Sequence, residues 1–260
     1  MNTSTKPGAL AFDLSGRAAL VTGGNGGIGL AMALGLQKAG ARIVIAGRDA
    51  AKGAEALRLL AHGEAHFISA DLAQAEHCTG AVADACRLLG GLDILVNNAG
   101  ITARKRPEAL SLEEWDSVLC TNLTSAFLCS QAAYPAFKAR RGGKIINIGS
   151  MLSIFGAPFA AAYAASKGGV VQLTRSLAAA WAGDGIQVNA VLPGWIDTDM
   201  GASARNQVEG LDQRVQARTP AARWGQPQDF EGVAVFLASG ASDFITGVAL
   251  PVDGGYSISG

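Results

Sequence analysis

The sequence predicts a doubly wound α/β fold, a parallel sheet of about seven strands with helices on both faces. Three observations carry this. Short runs rich in β-branched residues alternate with longer alanine-rich stretches along the chain. Those short runs are apolar throughout, without the polar alternation of a strand that faces water on one side. A glycine-rich turn stands directly after the first run, at the head of what reads as a βαβ unit.

Taken in order, "AALVT" (18–22), "ARIVIA" (41–46), "AHFISA" (65–70), "LDILVN" (92–97), "KIINI" (144–148) and "IQVNAVL" (186–192) read as six buried strands, with "VALPV" (248–252) as a seventh. Helices are expected near 28–39, 50–61, 74–89, 112–140, 160–182 and 227–239. Asp49 suits the N-cap of the second helix, and Pro227 the first turn of the last. Residues 197–224 break the alternation as a long polar insertion, expected to be a substrate loop or lid, with a solvated helical excursion as the alternative. At 260 residues the length allows one or two domains. With no repeat or low-complexity linker, one catalytic domain over 14–260 is expected, after a flexible tail at 1–13.

Composition narrows the class. Half the chain is hydrophobic (49%), and 34 glycines imply many tight turns. Lys+Arg and Asp+Glu are both 21, so charge gives no reason to expect a nucleic acid or an acidic membrane as partner. The opening residues lack the apolar core of a signal peptide, and Lys167 and Arg175 interrupt the longest weakly polar run. Cys78, Cys86, Cys120 and Cys129 form no CxxC, and no histidine stands at metal-ligand spacing from them, so no metal site is expected. Scattered reduced cysteines suit the cytoplasm.

The chemistry is sought just beyond the strand ends, where ligands bind in this architecture. "TGGNGGIG" (22–29) fits G-x-G-x-x-G through Gly24, Gly26 and Gly29, and equally G-x-x-x-G-x-G through Gly23, Gly27 and Gly29. Either way the backbone turns sharply and can approach a pyrophosphate, with the N-terminus of the next helix aimed at the anion. The second strand is followed directly by Gly47 and then Arg48. An arginine there accommodates the 2′-phosphate of NADP, so NADP is the expected cofactor, with NAD as the alternative. In "YAASK", Tyr163 and Lys167 are one helical turn apart and leave the same face.

"TGGNGGIG", "NNAG" (97–100), Asn122, Ser150, "YAASK" and "PG" (193–194), in this order and spacing, resemble the short-chain dehydrogenase/reductases over nearly the whole chain. "GGKIINIGSMLS", "TPAARWGQPQDFEGVAVFLAS" and "VDGGY" are most similar to the branch containing gluconate 5-dehydrogenase and 2-deoxygluconate 3-dehydrogenase. The resemblance implies a Rossmann fold and a catalytic set of Asn122, Ser150, Tyr163 and Lys167. Tyr163 would be the general acid/base. A free phenol titrates near 10, and an ammonium within roughly 4–6 Å would lower that by one to three units. Ser150 would bind the substrate oxygen, Lys167 the nicotinamide ribose, and Asn122 a water linking Lys167 to solvent. The implied cofactor residues are Gly23, Asn25, Gly27, Ile28, Gly29, Arg48, Asp71, Leu72, Asn98, Ala99, Gly100, Tyr163, Lys167, Pro193, Gly194, Ile196 and Thr198. Asp71 would accept from the adenine amino group, and Ile196 and Thr198 would hold the carboxamide.

The implied reaction interconverts a secondary alcohol and a ketone, on a sugar, sugar acid or polyol. A β-ketoacyl or other small-ketone reductase is the alternative, and a non-catalytic dinucleotide sensor a further one. In "ITARKRPE" either one of Arg104, Lys105 and Arg106 pairs with a substrate carboxylate or the three form a solvated basic loop, and Met151 and Trp195 either wall the cleft or are ordinary packing residues. The helices at 112–140 and 160–182 are apolar around much of their circumference, so a homotetramer or homodimer is expected.

Overall fold

The computed structural model describes residues 12–259. Residues 1–11 of the expected tail lie outside the described residues. The strands are β1 (Ala18–Thr22), β2 (Arg42–Gly47), β3 (Ala65–Ser69), β4 (Ile94–Asn97), β5 (Gly143–Ile148), β6 (Ile186–Pro193) and β7 (Ala249–Val252). They form one parallel sheet in the order β3-β2-β1-β4-β5-β6-β7. The helices are α1 (Gly27–Lys38), α2 (Ala50–Leu59), α3 (Ala75–Leu89), α4 (Leu112–Leu119), α5 (Ser125–Arg140), α6 (Ala161–Trp181), α7 (Asp199–Gln207), α8 (Leu211–Arg218) and α9 (Glu231–Ala238).

The two-residue period of the strands divides the core. Ala19 and Val21 of β1 join Ile94 and Val96 of β4 on the face covered by α1 and α9. Ala18 and Leu20 join Leu95 on the opposite face, beneath α3, α5 and α6. Buried on both sides, the strands need no polar alternation. Strand order reverses between β1 and β4, and a crevice opens there beyond the strand ends. The Thr22 hydroxyl accepts from the backbone N–H groups of Asn98 (3.0 Å) and Ala99 (3.2 Å), pinning both sides of that crevice.

Two elements differ from expectation. The helix expected over 112–140 is split by a π-helical turn at Cys120–Thr124, where Thr121 and Asn122 are buried. The extra residue in the turn aims Asn122 inward, which a regular helix would not do at that register. The insertion at 197–224 contains α7 and α8, and Ala204, Leu211, Val215 and Trp224 give it a small apolar core. Arg205 lies 3.8 Å over the Trp224 ring and pairs with Asp197 and Asp212, so this one polar side chain is held against the insertion's aromatic face.

Candidate active site

A cleft of about 750 Å³ runs along the carboxyl ends of the strands. Gly23, Asn25, Gly27, Ile28, Arg48, Asp71, Leu72, Asn98, Ala99, Gly100, Ser150, Tyr163, Lys167, Pro193, Gly194, Ile196 and Thr198 all line it, as do Arg104, Met151 and Trp195. Gly29 and Asn122 stand behind this wall. A side-chain carbon at Gly29 would lie 2.3 Å from Asn98 Nδ2 and 2.4 Å from the Gly23 carbonyl. The Asn98 amide occupies that space, donating to the carbonyls of Thr22 and Gly23 at 3.0 Å each.

The geometry also chooses between the two glycine spacings. Gly23 and Gly27 adopt φ of 62° and 51°, left-handed values that favour glycine. Gly26 is extended, and a side chain there would meet nothing within 4 Å. Gly24 has no room for a side chain either, since one would lie 2.6 Å from Ile45 Cγ2, so Gly26 is the unconstrained glycine of the turn and the spacing Gly23, Gly27, Gly29 is the one constrained at every position. Helix α1 begins without a side-chain cap and without an acidic residue in its first turn, leaving its N–H groups and positive dipole end for an anion. With Arg48 and Asp71 towards one end and Tyr163 and Lys167 towards the other, these residues fit a dinucleotide.

Tyr163 and Lys167 leave the same face of α6, with Lys167 Nζ 5.6 Å from the centre of the phenol ring. The ammonium donates to the Ile148 carbonyl at 2.7 Å. Burial pulls its pKa down to about 8. Ser150, at the end of β5, caps a short turn: its hydroxyl accepts from the Leu152 N–H at 3.1 Å. Asn122 clasps the backbone after the NNAG turn, accepting from the Ile101 N–H at 2.8 Å and donating to its carbonyl at 2.9 Å. It also donates to Ser166 Oγ at 3.0 Å, which ties the π turn to α6.

The electrostatics differ from the sequence expectation in one respect. Burial raises the Tyr163 pKa above a phenol's usual value, opposed by the Ser150 hydroxyl and by the positive charge of Arg104. The Lys167 ammonium, 5.6 Å from the centre of the phenol ring, donates in this state to the Ile148 carbonyl. The phenol therefore rests protonated near neutrality, as a proton donor.

Of the three basic residues after the NNAG turn, Arg104 alone lines the cleft. Lys105 pairs with Glu114 and Arg106 with Glu108. Arg104 donates to Ser203 Oγ (3.3 Å), Gln207 Oε1 (3.4 Å) and the Met200 carbonyl (3.0 Å). All three acceptors are neutral. Thr198 caps α7 by accepting from the Gly201 N–H, fixing where that helix starts over the cleft.

Sequence reasoning missed several wall residues. Phe155, Leu211, Arg214, Arg218 and Tyr256 also line the cleft. The i, i+4 pair Arg214/Arg218 was the available signal, since like charges one turn apart disfavour a helix. Ser153 was missed too. Its hydroxyl donates to the Lys167 carbonyl at 2.8 Å and accepts from the Ser150 N–H at 3.2 Å, coupling two of the expected catalytic residues.

The arrangement is that of a nicotinamide-dependent oxidoreductase, and comparison with known proteins agrees. A family model described as enoyl-(acyl carrier protein) reductase matches residues 23–257. The chain is 41% identical over 254 residues to gluconate 5-dehydrogenase from Gluconobacter oxydans (strain 621H), covering 95% of this chain and 97% of that one. It is 42% identical over 253 residues to 2-dehydro-3-deoxy-D-gluconate 5-dehydrogenase from Escherichia coli (strain K12), covering 95% and 97%. The solved gluconate 5-dehydrogenase from Burkholderia cenocepacia J2315, in complex with NADP and tartrate, superposes with a TM-score of 0.90 at 40% identity over 96% of this chain and 98% of that one. The chain belongs to the short-chain dehydrogenase/reductase family. It is an NAD(P)-dependent oxidoreductase that interconverts a secondary alcohol and a ketone.

Proposed function

We propose that this enzyme uses NADP to interconvert a hydroxyl and a keto group on a sugar acid. The observation that carries the reading is Arg104, a cation in the cleft beside Tyr163 with only neutral acceptors for its donors. A guanidinium so placed suits the carboxylate of an aldonic acid. The two curated relatives named above act on acids of this kind, and the solved one holds NADP. Arg48, exposed beyond β2, is the group that would meet the 2′-phosphate, while Asp49 is taken up in capping α2.

The cofactor, when bound, supplies or accepts the hydride. The chain's own residues do the rest. Ser150 orients the substrate oxygen. In reduction the Tyr163 hydroxyl gives its proton to that oxygen as the carbonyl becomes an alcohol, and in oxidation the same oxygen takes it back. Lys167 replenishes the phenol, and Asn122 ties the π turn to the segment after Gly100 so that the two groups of α6 stay in reach. The glycine turn, Asp71, Leu72, Asn98, Ala99, Gly100, Pro193, Gly194, Ile196 and Thr198 form the dinucleotide wall, and Met151 and Trp195 the substrate wall.

One catalytic domain over 14–260 houses this, with α7 and α8 as the substrate loop near 197–224. The four cysteines are all free thiols, which supports a cytoplasmic location. Exposed apolar side chains on α4 and α5, Leu112 at 69% and Phe127 at 40%, support a homotetramer or homodimer.

The test is a panel of sugar acids, neutral polyols, cyclic ketones and β-ketoesters, read by the absorbance of the reduced nicotinamide. A sugar acid should show the highest kcat/KM, with NADP preferred over NAD. Tyr163→Phe should reduce turnover by about 10²–10⁴-fold while dinucleotide affinity holds. Preference for a β-ketoester would move the substrate to the acyl class. Tight dinucleotide binding with no turnover anywhere would reduce the chain to a sensor.

A further inference from the structure

We propose that the substrate compartment has a second cationic pole, Arg218 supported by Arg214, which selects substrates carrying a second anionic group at the end remote from the Arg104 carboxylate site. The proposal rests on the sugar-acid reading above and narrows it to dianions, either dicarboxylic or phosphorylated sugar acids.

The argument starts from the walls. Three acidic side chains line the cleft: Asp49 and Asp71, which follow β2 and β3, and Asp199 at the start of α7, which is already paired with Lys52 at 2.6 Å. The substrate end is walled by Phe155, Leu211 and Tyr256 and carries Arg104, Arg214 and Arg218 with no acid among them. Among the described residues neither Arg214 nor Arg218 enters an ion pair. The nearest acid on their helix, Asp212, serves Arg205 and Gln216 instead. Two like charges at i, i+4 on one helix face oppose its folding, so helix formation does not account for them.

Arg218 is also held in place. Its guanidinium carbon lies 4.3 Å from the Tyr256 ring centre and 5.4 Å from that of Phe155. One N–H group donates to the Tyr256 hydroxyl at 3.2 Å. A guanidinium has five N–H donors in one plane, so contact with the rings through its faces leaves edge donors for a carboxylate or phosphate. Because the aromatic contacts already restrict the side chain, little rotamer entropy remains to be lost when an anion binds. Arg214, one turn earlier on α8, adds charge at the same wall.

Three acids with the same six-carbon chain test this: D-gluconate with one anionic group, D-glucarate with a second carboxylate, and 6-phospho-D-gluconate with a phosphate. Dissociation constants are measured by titration calorimetry on the NADPH-bound enzyme, in which these hydroxy acids cannot be oxidised. One or both dianions should bind about tenfold or more tightly than gluconate, and which of them does so identifies the second group. Arg218→Gln should close that gap, and Arg214→Gln should narrow it. Equal affinities for the three acids in the unsubstituted enzyme would overturn the second pole, as would a gap that survives both substitutions. Failure of all three acids to bind would overturn the sugar-acid reading as well, so the two failures are distinguishable.

Discussion

At position 167 a lysine is only 3% exposed, with a single carbonyl as hydrogen-bond partner and a pKa drawn down to about 8 from an ordinary 10.5. Below about pH 8 this side chain is charged in both the folded and the unfolded chain, and the folded chain bears the cost of burying it. Between about 8 and 10.5 the unfolded chain keeps a proton that the folded chain has released, so the cofactor-free protein gains stability as pH rises through that window. Lys167→Met removes the buried charge. At pH 7 it should stabilise the cofactor-free protein by about 1–3 kcal/mol while abolishing turnover, and the gain should shrink above pH 10.5. Denaturant unfolding of the two proteins at both pH values checks this. Equal stability at pH 7 would mean that the ammonium is not desolvated as described. Stability surrendered at this residue is then the cost of a cation held beside the phenol.

The glycine turn and the π turn show how an element positions chemistry it does not perform. Gly29 is constrained by the Asn98 amide and the Gly23 carbonyl, whereas Gly26 opens onto free space. Gly29→Ala should destabilise the protein by about 1–3 kcal/mol and weaken dinucleotide binding, because the Asn98 side chain bridging β1 and β4 must move. Gly26→Ala should stay within about 0.5 kcal/mol of the unsubstituted protein. Paired thermal melts and NADPH fluorescence titrations separate the outcomes. An equal effect of the two substitutions would contradict the glycine assignment. The π turn acts similarly: its extra residue lets Asn122 reach both backbone groups of Ile101, fixing the loop that ends at Arg104 relative to α6.

At the scale of the molecule, the sheet brings six strand ends, those of β1 to β6, to one crevice, and α7 and α8 close its substrate side. The same architecture leaves α4 and α5 with apolar side chains facing outward. Light scattering at micromolar concentration should report a dimer or tetramer. Leu112→Lys together with Phe127→Lys should shift it towards monomer, since two charges would have to be buried in the interface. A monomeric unsubstituted protein would contradict the oligomer and leave those side chains unexplained.

Much of this protein is written locally. The strands follow from apolar runs, the Asp49 cap and the first-turn Pro227 from residue type, and the positions of Tyr163, Lys167, Ser150 and the glycine turn from motifs in their expected order. These are legible because hydrogen bonding and side-chain periodicity within an element depend on neighbours a few residues away. What distant segments do to one another was decided only on folding. Tertiary contacts chose Arg104 over Lys105 and Arg106, settled which glycines are constrained, drew the Lys167 ammonium to Ile148, and set Arg218 against two aromatic rings. Each of those depends on burial and on partners as many as 103 positions apart in the chain, as Arg104 and Gln207 illustrate by hydrogen bonding across the cleft. Desolvation and shape complementarity exist only once the chain has closed around them.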